Sequence, residues 1–105
     1  MMHARHVSYI LRPDRWEDFI KAFEKDVMPV LQAQNGFADV ITLVSPDRKT
    51  WIAISLWERK ENAEAFGREA FPQALKFLAG LFEGTPEVHD YEVAYSTFPK
   101  VATAH

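Results

Sequence analysis

Cysteine is absent from the chain, which removes a disulfide framework, thiolate catalysis and any thiolate metal site together. No apolar run approaches the ~18–20 residues that a bilayer-spanning helix requires, so no membrane partner is expected. The opening residues, Met1-Met2-His3-Ala4-Arg5-His6, are not followed by the apolar core of a signal peptide. Together these absences point to a cytoplasmic protein. Clustered positive charge is missing as well. The 12 Lys and Arg stand against 15 Asp and Glu, a net charge of −3, and are scattered singly or in pairs. Without a basic stripe there is no footprint for a phosphate backbone, and nucleic acid is not expected.

What is present is apolar and aromatic. A length of 105 residues suits one domain, here residues 5–98 with 99–105 as a loose tail. Hydrophobic residues make up 48% of the chain and include eight Phe, three Trp and three Tyr, which argues for a packed core and against disorder.

The chain is organised around Phe37 to Glu58. Two strand-like runs, Phe37–Val44 and Thr50–Trp57, flank the polar Ser45-Pro46-Asp47-Arg48-Lys49, the pattern of a β-hairpin. Before it, His6 to Leu11 reads as a strand with Val7, Tyr9 and Leu11 on one face and Ser8 and Ile10 on the other. Three- and four-residue spacing of Trp16, Phe19, Ile20, Phe23, Val27, Val30 and Leu31 predicts an amphipathic helix from about Asp14 to Gln34. Pro13 and Asp14 suit its start, Pro29 interrupts it, and Asn35-Gly36 stops it. After the hairpin, Asn62 caps a second helix that runs to about Ala70. It bends at Phe71-Pro72 and continues to Leu81. Gly84-Thr85-Pro86 reads as loop and Glu87 to Phe98 as the last strand. The order β-α-β-β-α-β is that of a ferredoxin-like α+β fold, with two helices on one face of a four-stranded antiparallel sheet.

Such a sheet leaves one face uncovered. In the second hairpin strand Ile52, Ile54 and Leu56 are expected to face the helices. Trp51 and Trp57 are then expected to face away, toward a pocket or a second copy of the sheet. A homodimer follows from that arrangement.

Several features carry a family resemblance. Gly36-Phe37 follows a helix containing Pro29, the hairpin ends in Ile54-Ser55-Leu56-Trp57-Glu58, and Ala63-x-x-Phe66 opens the next helix. Over about Val7 to Phe98 the chain resembles the antibiotic biosynthesis monooxygenase superfamily of dimeric α/β barrels. Members of that superfamily include cofactor-independent oxygenases of aromatic polyketides, quinol monooxygenases, haem-degrading oxygenases and small proteins of no proven activity. The resemblance implies a cofactor-free monooxygenase-like protein acting on a small aromatic or quinol-type metabolite. The alternative is a non-catalytic dimeric barrel that binds a small ligand or acts structurally. The haem-degrading branch would place its tryptophan near Phe66 and its histidine ligand near Lys76. No histidine lies between His6 and His89, and the first strand has no asparagine.

A cofactor-free oxygenase needs aromatic walls and a few polar groups aimed at a developing oxyanion. Trp51, Trp57, Phe37 and Phe66 are candidate walls. Tyr91 and Asp39 are candidate substrate contacts, and His89 and Asn62 are candidate catalytic groups. Each has an ordinary structural role beside the functional one. The tryptophans can be packing or interface anchors, His89 a hydrogen-bonded surface residue, Asp39 a solvated or inter-subunit charge, and Asn62 a helix cap. No ligand spacing supports a metal site.

Overall fold

Alternation along the first strand sets the architecture. In the computed structural model, which describes residues 1–97, His3, Arg5, Val7, Tyr9 and Leu11 of β1 (His3–Leu11) are buried on one side. A turn then leads into α1 (Trp16–Ala22), a π-helical turn (Phe23–Val27) and α2 (Met28–Gln32). The hairpin follows as β2 (Phe37–Val44) and β3 (Thr50–Trp57). After it come α3 (Lys60–Glu69), α4 (Phe71–Phe77) and β4 (Phe82–Glu92). The strands form one antiparallel, open sheet in the order β2-β3-β1-β4, with the helices on one face, a ferredoxin-like α+β fold. No helix among the described residues is long and apolar enough to cross a membrane. Phe98 and the expected tail, 99–105, lie outside the described residues.

Several boundaries differ from expectation for identifiable reasons. Asp14 takes φ 61° in a turn closed by Arg15 N–H donating to the Arg12 carbonyl at 3.1 Å, so the helix starts at Trp16 and Asp14 does not cap it. Asn62 is not a cap either. It is the third residue of α3, whose flanking residue is Arg59. β4 starts five residues earlier than expected and includes Gly84-Thr85-Pro86. The register moves from Ser8 opposite Glu87 to Ile10 opposite Glu83, so a bulge absorbs the extra residues. An edge strand tolerates Pro86 there, where no ladder hydrogen bond is required of it.

The largest correction concerns β3. Trp51, Ala53, Ser55 and Trp57 are buried beneath the helices, and Ile52, Ile54 and Leu56 face away, the reverse of the expectation. Register explains why. Tyr9 lies opposite Trp51, Val7 opposite Ala53 and Arg5 opposite Ser55, and directly opposed residues share a face. Ser55 makes the arrangement tolerable: its Oγ accepts the Trp57 indole N–H at 2.9 Å, so that buried donor is satisfied.

The aromatic side chains form two groups. Under α1, Trp51 meets Phe19 and Phe23 at ring-centroid distances of 5.1 and 5.5 Å, and Tyr9 meets Phe19 at 5.2 Å. Under α3, Trp57 meets Phe66 at 5.2 Å and Phe37 at 5.6 Å. The first group depends on the π turn. Phe19, Phe23, Val27 and Leu31 recur every four residues, which in a pure α-helix drifts by roughly 40° per step. The wider turn, in which Met28 N–H donates to the Phe23 carbonyl five residues back, offsets that drift and keeps all four buried. It also precedes Pro29, whose ring would clash with the preceding carbonyl in a regular helix.

Trp57 has no exposed surface and joins the sheet to α3. Trp57→Ala is expected to cost about 3–5 kcal/mol in chemical denaturation, as for other large-to-small aromatic changes in cores. A loss below about 1 kcal/mol would contradict its central place.

Candidate functional site

Between the two aromatic groups the core thins to small side chains. Ala53 and Ser55 from β3 and Ala74 from α4 leave a cavity of about 20 Å³, closed in by Val7, Tyr9, Phe23, Phe66 and Phe71. That volume suits about one water molecule. The wall is made by the π turn on one side and the α3–α4 break at Ala70 on the other. π turns often occur at functional positions.

Tyr9 and Ser55 are the polar side chains that line this space, and Arg5 lies beyond it against Phe66 and Phe71. Tyr9 is buried, and burial raises its phenol well above the ordinary range, with the neighbouring Arg5 cation partly opposing the shift. Tyr9 is therefore a neutral hydrogen-bond donor at working pH and not a base. Arg5 is only 8% exposed. Its guanidinium carbon lies 4.6 Å from the centroid of the Phe71 ring and 5.6 Å from that of Phe66. Its Nε is buried without a hydrogen-bond partner. Burial lowers its pKa, and Asp90 and Tyr9 oppose that.

The residues expected from sequence do not converge. Phe66 lines the cavity, whereas Trp51 and Trp57 are core residues that do not, and Phe37 packs on Trp57. Asn62, one helical turn before Phe66, lies against Gly36. Gly36 has φ 77°, and an added Cβ there would collide with the Asn62 amide. His89 and Tyr91 are on the opposite, open face of the sheet, so His89 and Asn62 do not meet. His89 Nε2 lies 3.9 Å from Glu87, and its ring centroid is 6.2 Å from that of His6. Tyr91 borders a shallow recess of about 560 Å³ with Met1, His3, Lys60, Asp90 and Glu92. Asp39 borders another of about 140 Å³ with Val40, Ile41 and Leu56, and its Oδ1 accepts the Val40 N–H at 2.9 Å. Among the described residues no cluster of His, Cys, Asp or Glu could hold a metal ion.

Tyr9, Arg5 and Phe71 were missed as site residues. Arg5 lies just before the strand start read at His6, yet it shares the core-facing parity of Val7, Tyr9 and Leu11. A charged residue on that parity was the available signal.

The fold has close counterparts. A candidate antibiotic biosynthesis monooxygenase from Bordetella bronchiseptica superposes with a TM-score of 0.79 at 21% identity, covering 90% of this chain and 98% of that one. A similarly described protein from Nitrosomonas europaea gives 0.76 at 17% identity, covering 92% and 94%. SnoaB, a cofactor-independent oxygenase from Streptomyces nogalater, gives 0.72 at 18% identity, covering 93% and 97%. Among curated proteins, two uncharacterized proteins of Mycobacterium tuberculosis, from different strains, are 38% identical over 68 residues. Those residues are 65% of this chain and 30% of each relative, so the match spans less than a third of their length. No protein-family model matches. The chain thus has the fold of antibiotic biosynthesis monooxygenases.

The raised Tyr9 pKa has a consequence at alkaline pH. Up to about pH 10 the phenol is neutral in both folded and unfolded chains, and above that the unfolded chain ionises first. Stability present below pH 10 is therefore lost as pH rises toward the folded-state value. Tyr9→Phe is expected to flatten this alkaline loss in urea unfolding between pH 8 and about 11. An unchanged slope would show that Tyr9 does not titrate as a buried group.

Proposed function

We propose that the chain is a monooxygenase-like protein whose site between sheet and helices takes a small aromatic or quinol-type molecule without a cofactor. The observation that carries this is the aromatic-walled cavity of Phe23, Phe66 and Phe71, bordered by the neutral donor Tyr9. Likeness in fold to a cofactor-independent oxygenase supports it.

An activated ring CH₂ loses a proton to solvent, the resulting carbanion adds dioxygen, and the peroxide formed takes a proton back from solvent. The hydroperoxide then expels water and leaves a carbonyl, so substrate plus O₂ becomes ketone plus H₂O. Tyr9 would donate to the oxyanion that develops on the substrate. Of the sequence candidates on this side of the sheet, Phe66 lines the cavity, while Asn62, one turn earlier on α3, lies against Gly36. Trp57 backs Phe66 and Phe37 packs on Trp57, whereas Trp51 packs on Phe19 and Phe23. His89, Tyr91 and Asp39 belong to the open face, where they would act only across a subunit boundary.

A ring needs roughly 150 Å³, so binding would require the interior to open. The filled interior, about 20 Å³, favours a second reading as a non-catalytic small-ligand or structural barrel. Incubation with anthrone in an oxygen electrode separates the two. Uptake of one O₂ per substrate with carbonyl product supports the oxygenase; uptake equal to the protein-free rate overturns it.

The open face motivates a homodimer under either reading. Ile10, Ile41, Leu43 and Tyr91 are exposed there, beside the half-buried Ile52, Ile54 and Leu56. Monomers rarely leave such a contiguous apolar patch in water. Sedimentation is expected to give a dimer at micromolar concentration, and Ile54→Glu a folded monomer. A monomeric wild type would overturn this.

A further inference from the structure

Two imidazoles stand side by side on the open face of the sheet. His6 of β1 lies directly opposite His89 of β4, with ring centroids 6.2 Å apart. His6 is half-buried, and its Nδ1 is closed off from water without a hydrogen-bond partner. A neutral ring can leave that nitrogen as a bare lone pair, whereas an imidazolium places an N–H there with nothing to accept it. The surroundings supply one counter-charge. Glu87, two residues before His89 on the same face, lies 3.9 Å from His89 Nε2, and Tyr91 follows two residues after. Toward β3, His6 meets Ile54, flanked by Ile52 and Leu56, so no charge approaches from that strand. Asp39 and Glu83 share the face but stand opposite Leu56 and Ile10, at its margins. His3, Arg5, Asp90 and Glu92 belong to the opposite parity.

We infer that this pair makes association through the open face pH-dependent, the two copies separating as the imidazoles protonate. The inference rests on the homodimer reading above and names its control. Four antiparallel strands of about nine residues present roughly 600 Å² in plan. Side chains stand out from that plan, so the accessible surface is larger, on the scale of the ~800 Å² that each partner gives up in a stable complex. A second copy of the same sheet matches the face in width and length and can cover it whole. Covering it takes both imidazoles out of water. Glu87 can balance one imidazolium. A second, in the neighbouring ring, has no counter-charge, and burying it is costly. The ratio is the same in the dimer, because the second copy brings two imidazoles with its one Glu87. Where both rings would carry charge, each chain therefore sheds one proton on association. The associated state binds fewer protons, so association weakens as pH falls through the imidazole range.

Sedimentation equilibrium of the full chain at two pH values tests this. For imidazoles ionising near pH ~6.5, excluding one proton from each chain weakens association about hundredfold between pH ~7.5 and pH ~5.5. His6→Gln is expected to keep the dimer and to remove most of that dependence, because the remaining imidazolium has Glu87 beside it. His89→Gln, at an exposed position, carries the same expectation and serves should His6→Gln fail to fold. Far-ultraviolet circular dichroism is expected to be the same at both pH values. A wild-type dimer of equal affinity at both, a dimer tighter at the lower pH, or a dependence that survives both substitutions would each overturn the inference while leaving the homodimer standing. Dissociation accompanied by loss of the dichroism signal would assign the effect to unfolding and overturn it too. A monomer at pH ~7.5, where imidazoles are mostly neutral, removes the homodimer itself and the inference with it.

Discussion

The contact between Trp57 and Phe66, with the indole N–H satisfied by Ser55, orients the rest of the molecule. It ties the centre of the sheet to α3 on the parity of β3 that register with β1 turns inside. Once Trp57 is in, Trp51 must be in as well, because alternate residues share a face. Trp51 then gathers Phe19 and Phe23 beneath the first helical arm. Ile52, Ile54 and Leu56 are turned outward by the same parity. The apolar open face is thus a consequence of how the core is built.

The same choice creates the cavity. Ala53 and Ser55 stand between the two indoles on the buried face of β3, and neither is large enough to fill the gap between the aromatic groups. Ala74 on α4 leaves the facing side equally shallow. The gap closes with Phe71, a half-buried ring beside the helix break. Arg5 lies against that wall, its guanidinium carbon 4.6 Å from the Phe71 ring centroid.

Much of the fold was legible in local patterns. The helix spacing, the Asn35-Gly36 stop, the hairpin and the break before Pro72 each depend on neighbours within a few positions, and sequence records such neighbours directly. Features that depend on a partner strand were not. Gly84-Thr85-Pro86 has loop chemistry, yet pairing with β1 holds it in β4 as a bulge. Asn62 has cap chemistry, yet it meets Gly36 across the fold. The site was less legible still. Phe66 was found because helical spacing pointed it inward, whereas Arg5 and Tyr9 acquire their character only from what buries them.

By itself the sequence determined the element order, the amphipathic first arm, the β-hairpin and an aromatic supply larger than a one-sided sheet needs. Tertiary structure alone decided which face of β3 is covered. Both parities of that strand are apolar, so period-2 alternation could not choose between the isoleucines and the tryptophans. Register with β1 chose, because Tyr9 and Val7 were already committed to the helices and their directly opposed partners had to follow.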